Sequence, residues 1–443
     1  MLSFSAATAA VGSLRPATAG TAADARAERA APQATKFLLL LFQLGLLLLV
    51  FHFFRLEQRP FFWLACLAFG GFAAHYWLPF RLKEPFWILL SLAGAFVFLE
   101  PLGAFLLLAT GLALFALLCA PVGFGWRLGL VVAAALALML LRAIGGLPVP
   151  ATFWAVFGAI FMFRMIVYLY DLSHAAGKPS LREYLSYFFL LPNYCFLLFP
   201  VIDFRTMRRS YYEKDIHETA QTGIAWMVRG AVQLILYRLV YHFNGKLLAD
   251  QIESFASLAT LMVATYLLYL RVSGQFHIIV GMLHLFGYNL PETNRRYLLA
   301  ASLTDFWRRI NIYWKDFMVK VVYFPAYFRL RKRGEALAQV AATAMVFLVT
   351  WFLHGYQQFW LSGKFQFRST DAVFWGVLGL LVIGNVLYEL KHRRPAARAE
   401  GRLDISHALD VAGTFVLITF LWSIWNAPSL GEWLDLVTWW KIG

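Results

Sequence analysis

From residue 37 almost to its end, the chain alternates long apolar runs with short connections that are mostly polar and often basic. The runs cover 37–54, 60–80, 86–99, 102–122, 127–148 and 151–170, then 183–202, 222–243, 256–271, 275–290, 336–353, 371–388 and 405–426. A bilayer crossing takes about 20 helical residues, and most of these runs are that long. They are near-continuous and lack inside/outside alternation, which excludes a transmembrane barrel. The pattern predicts an all-α polytopic integral membrane protein with roughly eleven transmembrane helices plus re-entrant or interfacial ones.

Two runs break the pattern. Segment 86–99 is short and ends at Glu100-Pro101, which suits a half-helix or part of a kinked span. Segment 183–202 is interrupted by Pro192-Asn193 and Pro200, and basic residues flank both ends: Lys178 and Arg182 before it, Arg205, Arg208 and Arg209 after. A full crossing cannot have both flanks on one side, so a re-entrant or broken helix is expected.

Positive charge in the connections sets orientation. Arg329 to Arg333 and the stretch 391–402 bracket two spans joined by the loop 355–370, whose basic residues are Lys364 and Arg368. The basic connections are assigned to the cytoplasm and the short loop to the outside of a plasma (inner) membrane crossed many times. Residues 1–34 are Ala-rich without a long apolar run and read as a disordered cytoplasmic tail; residues 35–443 read as one transmembrane domain.

Composition agrees. Of 443 residues, 61% are hydrophobic and 14% charged, too few charges for a water-facing surface. Net charge is 39 − 24 = +15, but it is carried by the short loops, so it reports topology and lipid contact rather than nucleic acid. Cys66, Cys119 and Cys195 lie in apolar segments without metal-ligand spacing and read as buried structural thiols; no metal site is expected.

One residue stands out. His354 ends the run 336–353, and Thr343, Thr350 and His354, spaced seven and four apart, share one helical stripe. Intramembrane polar residues serve either as interhelical hydrogen-bonding glue or as functional sites. By orientation His354 falls in the outer half of its span. A second unusual stretch, 297–328, puts charge among aromatics: Asp305-Phe306-Trp307-Arg308-Arg309-Ile310-Asn311, then Tyr313, Trp314, Lys315 and Asp316. On its own it suits an interfacial helix with snorkelling side chains.

These residues carry a resemblance. Ser273-Gly274, Gly281, Leu285-Phe286-Gly287-Tyr288, Leu290-Pro291-Glu292-Thr293-Asn294, Tyr297-Leu298 and Asp305-Phe306-Trp307-Arg308-Arg309, followed by Leu353-His354-Gly355 after Trp351, resemble the membrane-bound O-acyltransferase (MBOAT) superfamily. The likeness is to the bacterial branch that includes alginate O-acetyltransferase and covers about residues 270 to 360. It implies an MBOAT-like core with a central tunnel, His354 as catalytic histidine and Asn311 as the second signature position. The bacterial relatives usually carry His where this chain has Asn311, and a Tyr-Ser-Asp-like stretch where it has Gln275-Phe276-His277. Asn at that position is similar to the lipid- and protein-modifying branches.

The implied reaction moves an acyl group, acetyl or another short one, from acyl-CoA or another thioester to a hydroxyl. A neutral imidazole takes the hydroxyl proton, and fixed dipoles stabilise the oxyanion. His354 is the expected base, and Asn311 the group that polarises the carbonyl or orients the hydroxyl. Arg308, Arg309 and Lys315 are candidates for the coenzyme A phosphates. His277, His284 and Asp305 are expected to make structural hydrogen bonds. The acceptor is an extracytoplasmic polysaccharide or cell-envelope polymer, which would call for a periplasmic partner transferase, or alternatively a lipid or lysolipid. A transporter is the rival class, resting on the broken segment 183–202 and the polar stripe.

Overall fold

The computed structural model describes residues 19–145, 149–174, 179–196, 198–244, 252–392 and 405–438. Among them every regular element is helical, and the only β pairing is an isolated bridge between Tyr211 and Tyr288. Among the described residues, eight helices combine the length and apolarity needed for a crossing: Ala34–Phe54, Glu100–Leu118, Phe124–Ile144, Ile216–Phe243, Phe255–Leu285, Glu335–Ser362, Ser369–Tyr388 and Ile405–Asn426. The molecule is a polytopic α-helical membrane protein.

The sequence suggested roughly eleven spans, and the other apolar segments take different forms. Runs 256–271 and 275–290 join into one element, Phe255–Leu267 followed directly by Leu270–Leu285. Segment 86–99 is no half-helix: it completes the 19-residue helix Phe80–Phe98, with Pro85 inside as the sixth residue, where it removes one ladder hydrogen bond. Segment 183–202 divides into the helix Leu181–Phe188 and a 3-10 turn, Leu191–Tyr194, so it is broken as its prolines imply. At the N-terminus, where a disordered tail was expected, Ala19–Arg29 is helical, and Arg29 donates to the carbonyls of Tyr212 and Glu213 at 3.1 and 2.8 Å. Residues 1–18 and most of the basic stretch 391–402 lie outside the described residues. Cys119 is exposed, against the buried thiol expected there; Cys66 and Cys195 are half-buried.

Two packing features matter for the site. Helix Ile216–Asn244 runs antiparallel to Leu270–Leu285, and the two touch through backbone: Gly223 meets the Gly281 carbonyl and Gly230 the Gly274 carbonyl. Small residues seven apart on each helix permit that approach, the usual way intramembrane helices gain contact without a hydrophobic drive. On the first helix, Arg229 pairs with Glu292 and donates to the Asn294 carbonyl at 3.3 Å, tying the pair to the segment that follows it.

The second feature is a buried guanidinium. Arg164, on helix Met162–Ser173, is 1% exposed, and among the described residues no carboxylate pairs with it. Its Nη1 donates to the Tyr187 carbonyl at 2.6 Å, and the Asn193 amide, oriented oxygen inward, accepts from the same group. The rings of Tyr187 and Phe199 lie 5.8 and 5.3 Å away, within cation–π range. All three partners come from the broken segment 181–202.

Candidate functional site

His354 sits eight residues before the end of the 28-residue helix Glu335–Ser362, which stops at Gly363 in a left-handed conformation (φ +80°). Its polar stripe divides. Thr343 returns its hydroxyl to its own helix, donating to the Gln339 carbonyl at 2.8 Å. Thr350 is fully buried and accepts the Trp314 indole N–H at 3.3 Å. Only His354 is left over: half-buried, its ring makes no hydrogen bond to any described residue. Three indoles surround it, Trp375 at 5.0 Å, Trp314 at 5.7 Å and Trp425 at 5.8 Å between ring centroids. The imidazole is therefore held by aromatic packing rather than by hydrogen bonds to the described residues.

The next residue explains itself sterically. Gly355 lies under the Phe367 ring, and a Cβ there would fall 2.3 Å from Phe367 Cε1. The loop after the helix thus folds back beside the histidine, with Phe367 5.2 Å from Trp351 and stacked on Phe365. Two π-helical turns, Phe157–Phe161 and Val319–Tyr323, both pack against this same helix. Such wide turns cost regular hydrogen bonding and recur at functional sites.

Asn311 is placed by a clip between two loops. Ile312 N–H donates to the Thr293 carbonyl at 2.8 Å, Arg295 N–H to the Arg309 carbonyl at 2.9 Å, and the Tyr313 hydroxyl to the Pro291 carbonyl at 2.8 Å. The Asn294 side-chain oxygen accepts the Asn311 backbone N–H at 2.8 Å and the Tyr269 hydroxyl at 3.2 Å. The run 290–294 is thus a scaffold for 309–313. Asn311 adopts φ 38°, ψ 60° and caps helix Ile312–Met318, its Oδ1 accepting the Trp314 N–H. That helix faces two ways: Trp314 points at His354 and Thr350, whereas Tyr313, Asp316 and Phe317 line a cavity on its other side.

The cavity measures about 740 Å³ and is also lined by Val167, Val201 and a set of cations: Arg205, Arg208, Arg209 and Lys320. Arg205 and Lys320 reach Asp171 at 3.1 and 2.6 Å, and Lys320 also pairs with Asp203. Arg208 pairs with Glu84 at 2.6 Å and Glu183 at 3.0 Å, whereas Arg209 is exposed and without a carboxylate partner among the described residues. Burial alone would raise the Asp203 carboxyl, but the Lys320 ammonium and the donors of Thr206 hold it below its usual value.

The cations singled out in the sequence stand elsewhere. Arg309 is paired with Asp305 at 2.8 Å, Lys315 with Asp316 at 2.5 Å, and Arg308 is exposed with no carboxylate partner among the described residues; none of the three lines the cavity. The four-residue spacing of Asp305 and Arg309 already signals a pair on one helical face. His277 and His284 make structural bonds, to Gln233 Oε1 and the Val280 carbonyl, each at 2.8 Å. Sequence reasoning missed Trp375, Trp425 and the cavity cations. The run 205–209 was visible only as a topology signal, and the two indoles come from other helices with no local pattern pointing at His354.

No family model matches this chain, and no curated protein matches it either. The reading of the site rests on its residues and geometry.

Proposed function

We propose that this protein is an O-acyltransferase of the MBOAT type, with His354 as general base. The observation that carries the reading is the His354 ring itself, caged by three indoles yet without a hydrogen-bond partner among the described residues. A half-buried imidazole at helix level that makes no hydrogen bond to a described residue is not acting as interhelical glue, so a packing role accounts poorly for it. In the proposed step the imidazole accepts the acceptor's hydroxyl proton as the oxygen attacks the thioester carbonyl. The C–S bond then breaks, and the thiolate leaves with the proton returned from the imidazolium. General-base help of this kind is worth about a hundred- to ten-thousand-fold.

The donor is acyl-CoA, carrying acetyl or another short acyl group, and it approaches from the cytoplasm. The cavity beside helix Ile312–Met318 offers Arg209, which has no carboxylate partner among the described residues and suits the donor's phosphates better than the carboxylate-paired Arg309, Lys315 and Lys320. Arg308 remains a candidate at the rim. The acceptor is a hydroxyl of an extracytoplasmic polysaccharide or cell-envelope polymer, delivered with a periplasmic partner, at the plasma membrane. A lipid or lysolipid acceptor is the second reading, favoured by Asn in place of His at 311 and by the apolar indole walls around His354.

The test is acyl transfer from labelled acyl-CoA by the purified protein, with mass spectrometry of envelope glycans and lipids from cells with and without it. Loss of transfer in folded His354→Ala is expected. Undiminished transfer in that variant removes His354 as base, and solute movement without any acyl-CoA favours a transporter.

A further inference from the structure

We infer that Asn311 is a positioning residue: it caps helix Ile312–Met318, fixes the Trp314 indole against His354, and its amide does not touch the reacting groups. The inference deepens the reading of His354 as the base and depends on it for its kinetic consequences only.

Asn311's backbone groups and its side-chain oxygen are committed within the protein, while its Nδ2 donors have no partner among the described residues. Its backbone N–H goes to Asn294 Oδ1 at 2.8 Å, its carbonyl accepts the Lys315 N–H at 3.1 Å, and its Oδ1 accepts the Trp314 N–H at 3.3 Å. Its φ of 38° lies in the left-handed region, which Asn and Asp tolerate and most other side chains do not. Two local demands, a left-handed backbone and an acceptor oxygen three residues before Trp314, therefore specify Asn or Asp without any role in chemistry.

The cap matters because of what it orients. Helix Ile312–Met318 has seven residues, too few for stability from its own ladder, and it runs directly into a π turn. Trp314, whose N–H is the one capped, sends its indole N–H to Thr350, one helical turn before His354, and lays its ring 5.7 Å from the imidazole. The ring of Phe163 backs it from the other side at 5.7 Å. Loosening the first turn of this helix therefore releases one of the three walls that hold the imidazole. The sequence expectation that Asn311 polarises the carbonyl requires its amide N–H donors. The capping role requires only an oxygen. Asp supplies the oxygen and, when ionised, no donor, so one substitution separates the two.

The experiment uses the full chain in detergent and two readouts. His354 reactivity toward diethyl pyrocarbonate is followed by peptide mass spectrometry, and kcat and KM for acyl transfer are measured in parallel. Asn311→Ala is expected to raise His354 labelling by about two- to thirtyfold and to lower kcat by a similar factor, with KM for acyl-CoA little changed. Asn311→Asp is expected to rescue both to within about threefold, since Asp and Asn are comparable caps. Trp314→Ala should reproduce the labelling increase, and the Asn311→Ala/Trp314→Ala double variant should add nothing to the larger single effect. If Asn311→Ala does not fold, Asn311→Gly takes its place, deleting the side-chain acceptor while relieving the backbone, with an expected labelling increase of only about 1.5- to twofold because glycine caps a few tenths of a kcal/mol less well than asparagine. Loss of transfer in Asn311→Asp with His354 labelling unchanged makes the amide a direct donor and overturns the inference. Unchanged labelling in the folded cap-less variant overturns it as well. The expected labelling pattern in a protein that transfers no acyl group leaves the positioning role standing and removes the acyltransferase reading alone.

Discussion

Replacing Gly230 by alanine tests how the helix pair supports the site. The new Cβ would lie 2.6 Å from the Gly274 carbonyl oxygen and 2.7 Å from Ile278 Cγ1. The first of these is backbone and cannot swing aside. To restore ordinary contact the helices must part by about 0.7 Å, a gap that already forfeits a quarter or more of each neighbouring contact. Overpacking of this kind costs about 1–3 kcal/mol, while Gly→Ala returns up to about 1 kcal/mol of helix propensity, so net destabilisation of up to about 2 kcal/mol is expected. Gly129, on lipid-facing helix Phe124–Ile144, provides the contrast, because a Cβ there meets nothing within 4 Å. Gly129→Ala keeps only the propensity gain. Thermal unfolding of both variants in the same detergent should therefore move in opposite directions, downward for Gly230→Ala and upward or not at all for Gly129→Ala. The neighbouring Arg229 holds Glu292 and the Asn294 carbonyl, so the Gly230 variant should also lose acyl transfer more than its stability loss explains. A Gly230→Ala protein that unfolds at or above the parent temperature would refute the steric argument.

Other outcomes follow from the same geometry. Asp203 is held below its usual pKa by Lys320 and Thr206, so its share of stability is complete above the usual carboxylate value, near pH 4, and is lost as pH falls through the lowered one. Unfolding profiles taken from pH 6 down to 3 should show this loss, and Asp203→Asn should remove that part of the slope. Thr350→Val deletes the acceptor of the Trp314 indole N–H in a fully buried spot and should cost about 1–3 kcal/mol, read by chemical or thermal unfolding; a cost near zero would mean the bond is dispensable. Gly355→Ala forces Phe367 off the helix, yet a ring 44% exposed on a loop can move, so stability should change little. Transfer activity should fall in that variant, as the loop beside His354 is displaced.

Much of the fold is readable from apolar run length, and the limits of that reading have physical causes. Run length cannot tell a crossing from a buried detour, which is why 183–202 needed its prolines and its two basic flanks to be read as broken. Helical spacing found the stripe ending in His354, since Thr343, Thr350 and His354 are neighbours by geometry alone. It could not tell that Thr343 would bond its own helix or that Thr350 would receive Trp314, because those choices depend on what packs opposite. Asn311 shows the converse case. Its local signature, an asparagine just before a short helix, is an ordinary cap pattern, and that pattern is what the structure displays. The pairing of Arg309 with Asp305 was equally local, whereas the cavity cations on 205–209 and Lys320 meet across more than a hundred residues of chain and leave no trace in spacing.

Arg164 has a consequence for how the protein is made. A guanidinium with no carboxylate to neutralise it is a heavy penalty for a lone helix entering lipid. Its hydrogen-bond acceptors, the Tyr187 carbonyl and the Asn193 amide, belong to chain that leaves the ribosome after it. Helix Met162–Ser173 should therefore settle only once the broken segment behind it has been delivered, and the two should leave the insertion machinery as one unit. A nascent chain truncated between residues 174 and 181 would then be retained at the translocon, and one extended past residue 202 released.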